Sequence, residues 1–167
     1  MKKRSAGILF YRLNKQYEVL LVHPGGPFWA HKDAGSWSIP KGEYQEDEDP
    51  LVAAKREFKE ETGHEVPDSE LIYLGEARQT GKIVTAWAVQ GDMDPADLKS
   101  NTFTMEWPPN SGQQKEFPEA DRAGWFALPE ACGKLIKGQV VLLGVLAERL
   151  GGPVESTTQA PAQRTLF

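Results

Sequence analysis

Gly42-Glu43-Tyr44-Gln45-Glu46-Asp47-Glu48-Asp49-Pro50 runs into Leu51-Val52-Ala53-Ala54-Lys55-Arg56-Glu57-Phe58-Lys59-Glu60-Glu61-Thr62-Gly63. The second half carries the punctuation of a helix. Asp49 suits the N-cap because its carboxylate can accept from a free backbone N–H, and Pro50 suits the first helical position, where no N–H is needed. Gly63 suits the position just past the end, where a left-handed backbone closes the last turn. On a wheel of about 100° per residue, Glu57, Glu60 and Glu61 fall within about 100° of arc, with small Ala53 among them. Leu51, Ala54 and Phe58 form the adjacent apolar stripe, so the acids flank the buried face instead of opposing it.

Three carboxylates held together repel one another unless a cation lies between them. Hard oxygen ligands suit Mg²⁺ or Mn²⁺, ions that bridge phosphate oxygens and lower the pKa of bound water. The three acids alone also fit a plain solvated helix face, supported by pairs such as Arg56 with Glu60. Their setting has to decide between the two.

Upstream, residues 4–13 and 17–23 are rich in Ile, Leu, Val, Phe and Tyr and read as two strands. The segment 24–36 holds Gly25, Gly26, Pro27 and Gly35 and reads as a loop, with a short strand at 37–39 leading to Pro40-Lys41-Gly42. Downstream, 71–80, 82–90 and 122–128 read as strands, and 91–118 as a long loop with one strand near 101–107. Apolar residues at helical spacing predict a final helix over 139–150. The economical architecture is one domain over residues 1–150, a mixed β-sheet flanked by helices. Residues 151–167 turn to Gly, Pro, Ser, Thr and Gln and are expected to form a flexible tail.

The chain has 167 residues and a formal charge of −5, which disfavours a protein whose main partner is a nucleic-acid backbone. A small anionic ligand is still compatible if metal ions reverse the local field. Cys132 is the only cysteine, so no internal disulfide or multi-cysteine zinc site can form. No apolar run approaches the roughly 20 residues needed to cross a bilayer, and no membrane role is expected. A cytoplasmic location is the default expectation.

The segment from Gly42 to Gly63 closely resembles the Nudix box, in which Gly, five residues, Glu, seven residues and Arg-Glu-apolar-any-Glu-Glu-any-Gly form a loop, a helix and a loop. Each fixed charged and glycine position of that pattern is present, while His64 stands where an apolar residue is usual. The resemblance implies a Nudix-like α/β/α sandwich, of class α/β (α+β), and metal-dependent hydrolysis of a phosphoanhydride with Mg²⁺ or Mn²⁺. It implies Glu57, Glu60 and Glu61 as metal-binding acids, Gly42 as the source of a backbone carbonyl ligand, and Arg56 with Glu48 as the pair that orients the cluster. His64 is expected to serve local packing.

Family members often recruit one more acid from outside the box. Glu106, Glu116, Glu119 and Asp121 are the candidates, and Glu119 is favoured because Glu119 to Phe126 looks like the family's acid preceding a Trp-bearing strand. Pro40-Lys41-Gly42 is similar to the same tripeptide in diadenosine polyphosphate and diphosphoinositol polyphosphate hydrolases, with Lys41 as a phosphate contact. The tyrosine common about 18 residues past the box in the former is not seen, nor the proline of ADP-ribose hydrolases near Gln79. A small-molecule nucleotide is the expected partner, foremost a dinucleoside polyphosphate such as diadenosine tetraphosphate. The alternatives are pyrophosphohydrolysis of a nucleoside triphosphate, oxidised ones included, and a Nudix module that binds a nucleotide without cutting it. Phe28, Trp29, Trp87, Phe103 and Trp107 are all candidates for stacking a base.

Overall fold

The structure is a computed structural model that describes residues 2–151; the expected tail beyond Gly151 lies outside the described residues. The two apolar runs at the start form strands β1 (Lys3–Asn14) and β2 (Gln16–Pro24), paired antiparallel from Phe10↔Leu20 to Asn14↔Gln16. They are joined by β3 (Lys41–Glu43), β4 (Leu71–Gln79), β5 (Lys82–Gln90) and β8 (Ala120–Ala127) in a six-stranded sheet ordered β4-β5-β1-β2-β8, with β3 also on β1. The β1–β5 ladder is parallel and the others antiparallel, which makes the sheet mixed as expected.

Strand alternation sends successive β1 side chains to opposite faces. Ala6, Ile8 and Phe10 meet Ala53, Ala54 and Phe58 of helix α1 (Pro50–Thr62) on one side. Leu9 and Tyr11 turn to the other, where α2 (Leu128–Lys134) and α3 (Val141–Arg149) supply Leu128, Ala131, Leu142, Leu143 and Leu146. Helix, sheet and helix therefore form three layers with β1 at the centre. Phe58 is fully buried, with its ring centroid 5.2 Å from that of Phe10, and burying a side chain of that size contributes about 1.5–3 kcal/mol.

Helix α1 obeys its punctuation. The Asp49 carboxylate accepts from Val52 N–H at 3.0 Å, and Gly63, at φ 82°, donates to the Lys59 carbonyl at 2.7 Å. The buried stripe differs from the expected one in a useful way. Ala53, placed among the acids, is fully buried, whereas Leu51 is only half-buried. The helix is thus rolled so that its acidic edge faces β3.

Three other segments depart from expectation. The short strand falls at 41–43, because Trp37 and Ser38 each bridge a different partner, Leu135 and Val22, and build no continuous ladder. The segment 91–118 holds two strands, β6 (Thr102–Glu106) and β7 (Gln114–Pro118), paired as a hairpin separate from the main sheet. Helix α2 begins where strand 122–128 was expected to end; Pro129 starts it without needing an N–H.

Gly63 and Gly81 both have positive φ, 82° and 77°, but an added Cβ at Gly63 meets the Lys99 backbone and Cβ at 2.8 Å while Gly81 has open space. Gly81→Ala is predicted to cost about 1–2 kcal/mol for conformation alone, and Gly63→Ala more, as read from the midpoints of urea unfolding curves.

Candidate functional site

The acidic edge of α1 meets β3 at the Lys41–Gly42 peptide. Ile8 N–H donates to the Pro40 carbonyl and Tyr44 N–H to the Arg4 carbonyl, both at 3.1 Å. Antiparallel alternation then turns the peptide groups of Gly42 toward β1 and those of Lys41 away from it. Lys41 N–H is accordingly directed at the Glu61 carboxyl. The Gly42 carbonyl, expected as a metal ligand, lies on the β1 side of the strand. What position 42 gives the site is room: a Cβ there would fall on the Glu57 carboxylate.

Arg56 organises the next layer. It is bonded to Glu48, reaches Glu57 at 3.0 Å and lies 3.8 Å from Glu60. Glu57 retains 15% of its side-chain exposure and Glu60 42%, so Glu60 is the looser of the two. Burial raises the carboxyl pKa of Glu57, opposed by its bond to Arg56 and reinforced by Glu60 and Glu119. The same cause acts more strongly on Glu61, pushed up to about 8 by burial, with Lys41 working against the shift and Glu57 and Glu119 adding to it. Lys41 is lowered, first by its own burial and then by the nearby positive Lys82, with Glu61 opposing. The site thus holds carboxylates short of compensating charge beside one partly desolvated lysine.

Glu119 arrives here from the far end of the sequence through a backbone chain. Lys99 and Asn101 N–H groups donate to the carbonyls of Thr62 and Glu60 at 2.9 and 2.8 Å, satisfying acceptors that the helix end leaves free. Asn101 O then accepts from Glu119 N–H at 2.8 Å, and Glu119 O from Gly25 N–H at 3.0 Å. Helix end, hairpin base, acid and the loop after β2 are stitched into one unit. Glu119 feels both Glu57 and Glu61 electrostatically.

The other candidates go elsewhere. Glu116 accepts from the Thr102 hydroxyl at 2.5 Å, Glu106 caps Gly112 N–H at 2.7 Å, and Asp121 bonds His23 Nδ1 at 2.9 Å. His64 folds back on Thr62, its ring Nδ1 3.0 Å from that carbonyl, which is local packing. Sequence reading missed His23. It is fully buried, its second nitrogen lies 2.6 Å from the Lys32 carbonyl, and it ties the 24–36 loop to the segment that follows Glu119. No local signal marks such a partnership, since His23 and Asp121 are 98 positions apart.

Among the described residues no three acidic, histidine or cysteine side chains close into a ready-made metal cage. The donor set nevertheless fits a hard divalent cation: oxygen ligands of one sign, a glycine that leaves space at Glu57, and Arg56 holding one carboxylate from behind.

Residues 1–146 match the family model of the NUDIX domain. A C. elegans Ap4A hydrolase in a binary complex is similar in fold, with 23% identity, TM-score 0.62, and coverage of 89% of this chain and 97% of that one. A mutT/nudix family protein from Listeria innocua (17% identity, TM-score 0.58, 89% and 93% covered) and the NUDIX domain of Shewanella oneidensis NrtR, complexed with ADP ribose (16%, 0.58, 90% and 89%), share that fold. With the box complete and the family match spanning nearly the whole three-layer domain, the chain belongs to the NUDIX family and is a Nudix hydrolase.

Proposed function

We propose that the protein is a metal-dependent pyrophosphohydrolase that cuts a phosphoanhydride bond in a nucleoside diphosphate linked to another moiety, foremost a dinucleoside polyphosphate such as diadenosine tetraphosphate. The observation that carries this reading is that Glu57 lies against Gly42 and Glu61 beside Lys41, with Glu119 near enough to act electrostatically on both acids. The similarity to an Ap4A hydrolase across most of both chains supports the choice of substrate.

Mg²⁺ or Mn²⁺, when bound by Glu57, Glu60 and Glu61, would neutralise phosphate charge and acidify a water molecule. The chain's own residues do the rest. Arg56, braced by Glu48, keeps Glu57 aimed at the site and prevents the carboxylates from splaying apart. Glu119 would take a proton from the attacking water or add a ligand, a role supported by its electrostatic influence on Glu57 and Glu61. Lys41 offers a positive charge to a phosphate oxygen, and its partial burial strengthens that attraction.

Glu61→Gln is predicted to lower turnover of diadenosine tetraphosphate by more than about 100-fold, beyond the roughly 10–100-fold expected for the orienting Glu48→Gln. Glu119→Gln is predicted to lower kcat as well and Glu116→Gln to leave it near wild type. Steady-state rates on folded variants check all four, and near-normal activity in Glu61→Gln refutes the metal role.

Stability of the metal-free chain carries a second signature. The folded Glu61 carboxyl, at about 8 against an ordinary value of 4.5, holds a proton between those limits that the unfolded chain has lost. Unfolding free energy therefore falls as pH rises through that window. Thermal melts in chelator from pH 5 to 8 are predicted to decline more steeply for wild type than for Glu61→Gln; parallel curves would exclude the raised pKa.

A further inference from the structure

A glutamine is rarely sealed from water, because both ends of its amide need partners. Gln139 is fully buried, in the single turn Lys137–Gln139 between α2 and α3. Every group of its amide is met. The oxygen accepts from Ile39 N–H at 3.1 Å, and the NH2 donates to Gln79 Oε1 at 2.9 Å and to Ser38 Oγ at 3.1 Å. A backbone N–H can only donate, so the oxygen has to face Ile39 and the amide has one orientation. The Ser38 hydroxyl in turn donates to the Ile39 carbonyl at 2.7 Å. These bonds stand where the backbone ladder stops. Ser38 exchanges two bonds with Val22, at 3.0 and 2.9 Å, and the Pro40 carbonyl accepts from Ile8. Among the described residues Ile39 N–H has no backbone acceptor, and Pro40 has no N–H to offer. The side chain of Gln139 takes the place of the missing strand neighbour.

We propose that Gln139 is a positioning residue for hydrolysis, which fixes Ile39 from the α2–α3 layer and through it seats the Lys41–Gly42 peptide against Glu61 and Glu57. This rests on the pyrophosphohydrolase reading for the reaction it serves. Residues 39–41 sit close on β1, where a Cβ added to Gly7 would meet the Pro40 carbonyl at 2.6 Å and Lys41 Cβ at 2.8 Å. A segment held that tightly passes a displacement of Ile39 on to Lys41. Lys41 N–H is directed at Glu61, and Gly42 leaves the room that Glu57 fills. The other arm of the amide is anchored as firmly. Gln79 ends β4, and Gly138, beside Gln139, is pressed on it, since an added Cβ there would meet Gln79 Cα at 2.9 Å. Gln139 thus ties the acid site to an edge strand and to a helical layer that touch neither the acids nor each other's ladder.

The test compares wild type with Gln139→Met, which keeps the length of the side chain and removes its amide, and with Gln79→Ala, which removes one partner. Leu146→Ala is the control, a fully buried position of the same helical layer whose loss of packing leaves the amide bonds in place. Two quantities are read on folded protein: amide hydrogen exchange at Ile39 and Lys41 relative to Val22, and kcat and KM for diadenosine tetraphosphate with Mg²⁺. Gln139→Met is expected to speed exchange at both amides about tenfold or more and to lower kcat about tenfold or more, with KM changing less than about threefold. Gln79→Ala is expected to move exchange and kcat in the same directions by about threefold or more, and it decides the matter if Gln139→Met does not fold. Leu146→Ala is expected to leave the exchange ratio and kcat near wild type. Unchanged exchange overturns the proposal, as does faster exchange with normal kcat, or an equal fall of kcat in Leu146→Ala. A wild type that does not hydrolyse the dinucleotide sinks the pyrophosphohydrolase reading; faster exchange at Lys41 in Gln139→Met then still upholds the seating of the peptide, and unchanged exchange still overturns it.

Discussion

The Glu57 carboxylate can lie where it does against β3 only because position 42 has no side chain, and the arrangement of the site depends on that close approach. The Glu57 carboxylate occupies the space a Cβ would fill. Ala53, fully buried on the same edge, keeps the helix near the sheet. With the helix in this roll its acids face β3, and Lys41 N–H is directed at Glu61. Carboxylates are thereby desolvated beside one another, an unfavourable arrangement that a divalent cation relieves. Stability of the helix and chemistry of the site are in this respect opposed: the same roll that buries Ala53 and Phe58 creates the charge problem.

The C-terminal end of α1 is the second organising point. Its last carbonyls are satisfied by the 99–101 segment instead of by water, and that segment passes the connection to Glu119 and on to Gly25. An acid about sixty residues from the box is thus fixed by peptide groups, whose positions do not depend on which side chains the loops carry. His23, bonded to Asp121 and to the Lys32 carbonyl, closes the same unit from the β2 side.

Much of this was legible in the sequence where the signal is local. Asp49, Pro50 and Gly63 marked the helix to the residue, and the apolar runs marked β1, β2, β4 and β5 because buried strands need such runs. Strand β7 was not legible: Gln114–Pro118 has a single large apolar residue, Phe117, and is held by pairing with β6. Helix α2 has only seven residues, too short for periodicity to speak. The acids of the box could be read from their spacing, yet spacing could not separate Glu119 from Glu116, three positions away. What distinguishes the two, the bond of Glu116 to Thr102 and the backbone bonds of Glu119 to Gly25 and Asn101, appears only in the fold. The direction of the Gly42 carbonyl was likewise hidden, since it follows from the β1–β3 register.

The central claim is that Glu57, Glu60 and Glu61 make a divalent-cation site at the α1–β3 contact. Binding of Mn²⁺ followed by electron paramagnetic resonance at mildly alkaline pH, which favours the ionised form of Glu61, tests it without recourse to turnover. The account predicts saturable binding to wild type that is weakened by Glu61→Gln and by Glu57→Gln in folded protein. Equal Mn²⁺ affinity in wild type and both variants would contradict it.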